Sequence, residues 1–89
     1  MSKVVSLKLE VYNYHGTLMT SYIKNVESDY TPTKEMVFTG NDYTLTAKNI
    51  YFDLDYGRIF IRFVEYLNKG DSETAWDFLL KQDWQKATK

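Results

Sequence analysis

From Val4 to Tyr14 the chain alternates: Val5, Leu7, Leu9 and Val11 share one side of a period of two, and Ser6, Lys8, Glu10 and Tyr12 share the other. Successive strand side chains point to opposite faces, so this spacing predicts a half-buried strand over about 4–14 with the Val/Leu set inward. His15-Gly16 breaks the pattern, and glycine permits the positive φ of a tight hairpin turn. A second strand is expected at about 17–26, TLMTSYIKNV, rich in β-branched residues and Tyr. Residues 27–34, ESDYTPTK, are polar, carry Pro32, and read as a surface loop. Short alternating runs at 35–39 and 43–47 flank Gly40-Asn41-Asp42 and predict a second hairpin with a three-residue connection. Residues 50–54 resume the alternation, with Ile50, Phe52 and Leu54 on one face.

The stretch DYGRIFIRFVEYLNKG, residues 55–70, fits two templates. With period 2, Ile59, Ile61 and Phe63 face one way and Phe60, Arg62 and Val64 the other. With period 3.6, Ile59, Phe60, Phe63, Val64 and Leu67 form a helical stripe closed by Gly70. The β-rich propensity of 58–64 favours a strand there, followed by a turn or short helix to 69. Beyond Gly70, the spacing of Trp76, Leu79, Leu80, Trp84 and Ala87 predicts an amphipathic helix over about 72–87, capped by Asp71 or Ser72. The expected fold is therefore α+β: an antiparallel sheet of four to five strands built from consecutive hairpins, with the C-terminal helix packed on one face.

Eighty-nine residues, 44% hydrophobic, suit one domain over 1–89 and no second core. Eleven basic and twelve acidic residues nearly cancel, locally as well as globally, so neither a basic arm nor an acidic tail is present. The absence of cysteine favours a reducing compartment. With no apolar leader and no long apolar run, the expectation is a cytoplasmic protein that does not enter membranes.

Catalytic chemistry finds little support. His15 is the one side chain with an unperturbed pKa near neutrality, and it sits in a turn without an orienting carboxylate. Structural zinc sites need about four Cys, His or carboxylate ligands, and one His with no Cys makes such a site a poor fit. Asp53 and Asp55 fall on one side of a strand end and could hold a hard cation, but Asp55 also suits a turn. The glycines stand singly at 16, 40, 57 and 70, so no phosphate-cradling loop exists. The sequence points to a non-enzyme without cofactor or metal.

Binding chemistry is more visible. YGRIFIRF, residues 56–63, has the outline of a sheet-borne RNA-binding octamer. Gly57, Phe60, Ile61 and Phe63 match it, whereas Tyr56, Arg58 and Ile59 depart from it. A single-stranded nucleic-acid site would draw on Lys48, Arg58, Arg62 and Tyr51. Against it, a net charge of −1 offers phosphate little long-range attraction. Eight tyrosines favour a protein partner instead, because the ring buries area while the hydroxyl meets water or the partner. Tyr12, Tyr14, Tyr30, Tyr51 and Tyr56 are the ones the pattern sends outward or into loops. Self-association, through an edge strand or a sheet face, is a further expectation. In general style the chain resembles small proteins of phages and mobile elements, and by that analogy its partner would be a larger protein that it inhibits or modulates.

Overall fold

The computed structural model describes residues 3–29, 36–55 and 57–87. Its elements are β1 (Lys3–Tyr12), β2 (Leu18–Ser28), β3 (Val37–Gly40), β4 (Tyr43–Thr46), β5 (Asn49–Asp53), β6 (Arg58–Tyr66), a 3₁₀ turn (Asp77–Gln82) and β7 (Gln85–Lys86). The first hairpin closes over Asn13–Thr17. The Asn13 side-chain carbonyl accepts from the N–H groups of His15 and Thr17, and Gly16 takes a φ of 86°. An Asx side chain bonding ahead to its own backbone is a built-in turn former.

Five strands form one sheet in the order β5-β6-β1-β2-β7, and β3 and β4 form a separate hairpin. The main sheet is mixed. β1 runs parallel to β6, with Val5, Leu7 and Leu9 opposite Ile59, Ile61 and Phe63, while the other neighbours are antiparallel. This corrects the expected all-antiparallel sheet of consecutive hairpins. The two most apolar faces in the chain belong to β1 and β6, and setting them side by side at the centre buries both. A parallel pair needs a long crossover, and the segment from β2 to β5 supplies it.

The period-2 reading of the 55–70 stretch is the one that forms. Ile59, Ile61 and Phe63 are buried, whereas Phe60 and Tyr66 are exposed on the other side. The chain stays extended to Tyr66, and no helix forms over 65–69.

The β3–β4 hairpin lies over the apolar face of the sheet. Leu45 and Ala47 are buried, and Phe38 meets Phe63 edge-on at 5.2 Å between ring centroids. Its connection is two residues, Asn41-Asp42, because Gly40 pairs with Tyr43 inside the ladder. The rest of the cover comes from the C-terminal segment, and here the helix expected over 72–87 is not seen. Among the described residues, the longest helical stretch is the six-residue 3₁₀ turn, so the fold is mostly β and not the expected α+β.

Local bonding accounts for that correction. Ser72 Oγ accepts from Thr74 N–H, and successive backbone bonds, Ala75 to Ser72, Asp77 to Thr74 and Leu79 to Trp76, all span three residues. Such side-chain competition and tight turns replace α-helical bonding. Asp83 then takes a left-handed φ of 66°, and Gln85–Lys86 pairs with β2 instead of continuing a helix. The bend still delivers Leu79 and Trp84 to the core, while Leu80 is left exposed. The Tyr22 hydroxyl, from the fully buried Tyr22, donates to the Asp77 carboxylate and pins the segment to the sheet. That bond holds the Asp77 carboxyl below the usual carboxylate range; burial opposes the shift and the Lys86 ammonium, 3.2 Å away, adds to it. Desolvation, helped by the Asp77 charge, pushes the Tyr22 phenol well above its ordinary value. No described helix is long and apolar enough to cross a membrane.

Candidate functional site

One face of the five-stranded sheet is covered by the hairpin and the C-terminal segment, and among the described residues nothing covers the other. The strand registers assign the uncovered face. Tyr51, Phe60, Ser6 and Asn25 form one row across four strands. Asn49, Arg62, Lys8, Ile23 and Gln85 form the next across all five. Val64, Glu10 and Ser21 follow, and Tyr66 lies beside Tyr12 at the far end.

Two aromatic pairs mark the ends of this face. Tyr51 is 54% exposed and Phe60 36%, directly opposite each other on neighbouring strands, with the Arg58 guanidinium 6.0 Å from the Phe60 ring centroid. At the other end Tyr12 and Tyr66 stand 5.6 Å apart, and Tyr66 is 66% exposed. Tyr66 lies six residue steps along β6 from Phe60, so the pairs lie about 20 Å apart at the strand rise of about 3.3 Å per residue.

Between them runs a polar ladder. Arg62 Nε donates to Glu10 Oε1 at 2.6 Å, its Nη1 to Asn49 Oδ1 at 2.8 Å, and Nη2 to the Tyr12 hydroxyl at 3.4 Å. The Tyr12 hydroxyl also donates to Glu10, and Lys8 Nζ lies 3.7 Å from that carboxylate. Burial works to raise the Glu10 carboxyl, but the bonds from Arg62 and Tyr12 and the nearby cations outweigh it and hold it below its usual value. Its bond to Glu10 raises the Arg62 guanidinium in turn. Nearby, Arg58 Nη1 and Asn25 Oδ1 both engage the Ser6 hydroxyl. The cations of the face, Lys8, Arg58 and Arg62, are thus interleaved with Glu10, Glu27 and Asp53, leaving a surface of mixed sign.

The residues singled out from sequence divide as follows. Tyr12 and Tyr51 share the uncovered face but sit at opposite ends of it. Tyr14 lies off the face in the first turn, its ring 4.0 Å from His15. Tyr30 and Tyr56 lie outside the described residues. Arg58, Arg62 and Tyr51 come together with Phe60, whereas Lys48 is exposed in the link between β4 and β5, its N–H donating to the Arg62 carbonyl. Phe60, Tyr66 and Ile23 were missed, although the same alternation that buries Ile59 and Ile61 turns Phe60 outward.

On the covered side, a cleft of about 740 Å³ opens between β2, the β3–β4 hairpin and the 3₁₀ turn. Leu7, Leu45 and Phe63 are among its lining residues, and Lys24, Lys81 and Asp83 are its charged ones. The Lys24 ammonium donates to the Gln82 carbonyl at 2.9 Å. Among the described residues, no three or more His, Asp or Glu side chains gather where a metal ion could be held. No protein-family model, curated protein or solved structure matches the chain.

Proposed function

We propose that this protein is a small, non-catalytic protein-binding module that acts stoichiometrically through the uncovered sheet face. The observation that supports it most is the pairing of exposed aromatics, Tyr51 with Phe60 and Tyr12 with Tyr66, around a neutralised Arg62–Glu10 ladder. Protein interfaces favour aromatic and Arg anchors with balanced polar groups between them. The ladder also favours a protein over a nucleic acid. Phosphate binding draws its strength from cations free to replace counterions, and Arg62 and Lys8 already face Glu10.

A second reading, single-stranded nucleic-acid binding, draws on one observation: the Phe60 ring beside Tyr51 with Arg58 above it is a stacking platform. Two experiments separate the readings. In affinity capture from a lysate of the source cell, the Tyr51→Ala/Phe60→Ala variant should fold normally and lose a partner that the wild type retains. Identical captured sets from both would refute the face as the binding surface. An anisotropy titration with a mixed-sequence single-stranded oligonucleotide at two salt concentrations should show no binding; micromolar binding that collapses with salt would move the assignment to nucleic acid.

A further inference from the structure

The two edges of the main sheet are unlike each other. Beyond its short pairing with β7, the β2 edge carries Lys24 and Glu27, charged side chains of the kind natural sheets use to repel a further strand. The β5 edge has no such protection over Ile50–Phe52. Tyr51 on one side and Phe52 on the other are 54% and 62% exposed, and Leu54 just beyond is 87% exposed. Asp53 turns its carbonyl inward to the Gly57 N–H at 2.8 Å, and strand alternation then turns the N–H and C=O groups of Ile50 and Phe52 outward.

We infer that β5 pairs antiparallel with β5 of a second copy of this chain, about a twofold axis at Tyr51, joining two sheets into one of ten strands. The charges along the edge select this occupant and this direction. Lys48 stands at one end of the strand, and Asp53 and Asp55 stand at the other. An antiparallel twofold sets Lys48 against Leu54 of the second copy, within reach of the carboxylates on either side of it, and does so twice. Parallel pairing would set like charges together.

The same axis places Ile50 opposite Phe52 of the second copy, so the outward backbone groups of these two residues meet as a hydrogen-bonded pair and the exposed ring gains an apolar neighbour. Tyr51 then meets its own symmetry mate, and the two Tyr51–Phe60 pairs merge at the centre of the doubled face. The pairing does not depend on that face's binding any other protein. A contact this short belongs to the weak, transient class of interfaces.

Sedimentation equilibrium from about 10 µM to about 1 mM, spanning the weak-binding range, tests the pairing. The wild type should shift from 10.5 kDa toward twice that mass as concentration rises. Phe52→Lys, at an exposed position, should keep its melting temperature and remain monomeric throughout. Lys48→Asp should weaken association at least tenfold, and Lys48→Asp/Asp55→Lys should restore it. A wild type that stays monomeric, a Phe52→Lys variant that associates like the wild type, or a charge swap that fails to restore association would overturn the inference.

Discussion

Phe60 and Phe63 are three residues apart on β6, and the fold assigns them opposite fates. Phe63 is 1% exposed, packed against Phe38 edge-on and enclosed between the sheet and the β3–β4 hairpin. Truncating such a ring to Ala typically costs about 3–5 kcal/mol in lost transfer energy and residual cavity. The edge-on partner places this site toward the upper end, since aromatic pairs add about 0.5–1.5 kcal/mol beyond burial. A chain of this length has a total stability of about 4–13 kcal/mol at the usual per-residue margin. Phe63→Ala should therefore remove a third or more of it and lower Tm by at least about 15 °C. Phe60→Ala, on the uncovered face, should cost less than about 1 kcal/mol. Urea denaturation followed by far-UV circular dichroism gives both values. A helix would place residues three apart on one face and make the two losses comparable. Two similar losses, or a Phe63→Ala loss under about 1.5 kcal/mol, would refute the strand geometry and the position of the hairpin above it.

Two further outcomes test the C-terminal segment. Because the Asp77 carboxyl is held below its unfolded value, its contribution is present above about pH 4 and is lost as the pH falls through its folded pKa. Asp77→Asn should melt below the wild type at pH 7 and together with it near pH 2; a gap that ignores pH would remove the Tyr22–Asp77 bond from the account. At Gly40, an added Cβ would collide with the Tyr43 ring, whose hydroxyl accepts from Trp84 Nε1 at 3.0 Å. Gly40→Ala should displace that ring, release the Trp84 indole and shift its fluorescence, and an unchanged emission spectrum would show the ring to be elsewhere.

What the sequence discloses is which side of a cleanly alternating strand such as β1 is inward, not which strand lies beside which. The alternation through Val5, Leu7, Leu9 and Val11 is unambiguous because a one-residue slip would expose all four. The 55–70 stretch was not legible on periodicity alone, since Ile59, Phe63 and Leu67 satisfy a helix as well as a strand. Its resolution comes from β1, which offers a matching apolar face. The spacing of Trp76, Leu79 and Trp84 misled for a related reason. A tight turn followed by a left-handed Asp83 also carries Leu79 and Trp84 inward, without a helix. On the candidate face, parity alone places Tyr12, Tyr51 and Phe60 outward. The Arg62–Glu10 bond could not be read, because it exists only once β1 and β6 are parallel neighbours, and no local pattern announces a pairing between distant segments.

That parallel pairing also governs the order of assembly. β1 is synthesised first and can close its hairpin with β2 within a few residues, but its other edge stays bare until Arg58–Tyr66 has been made. The centre of the sheet therefore waits on one of the longest loop closures in the chain, an entropic delay that slows folding and prolongs exposure of an apolar strand. A nascent chain that has not reached Tyr66 carries a Val/Leu strand with one edge unmatched.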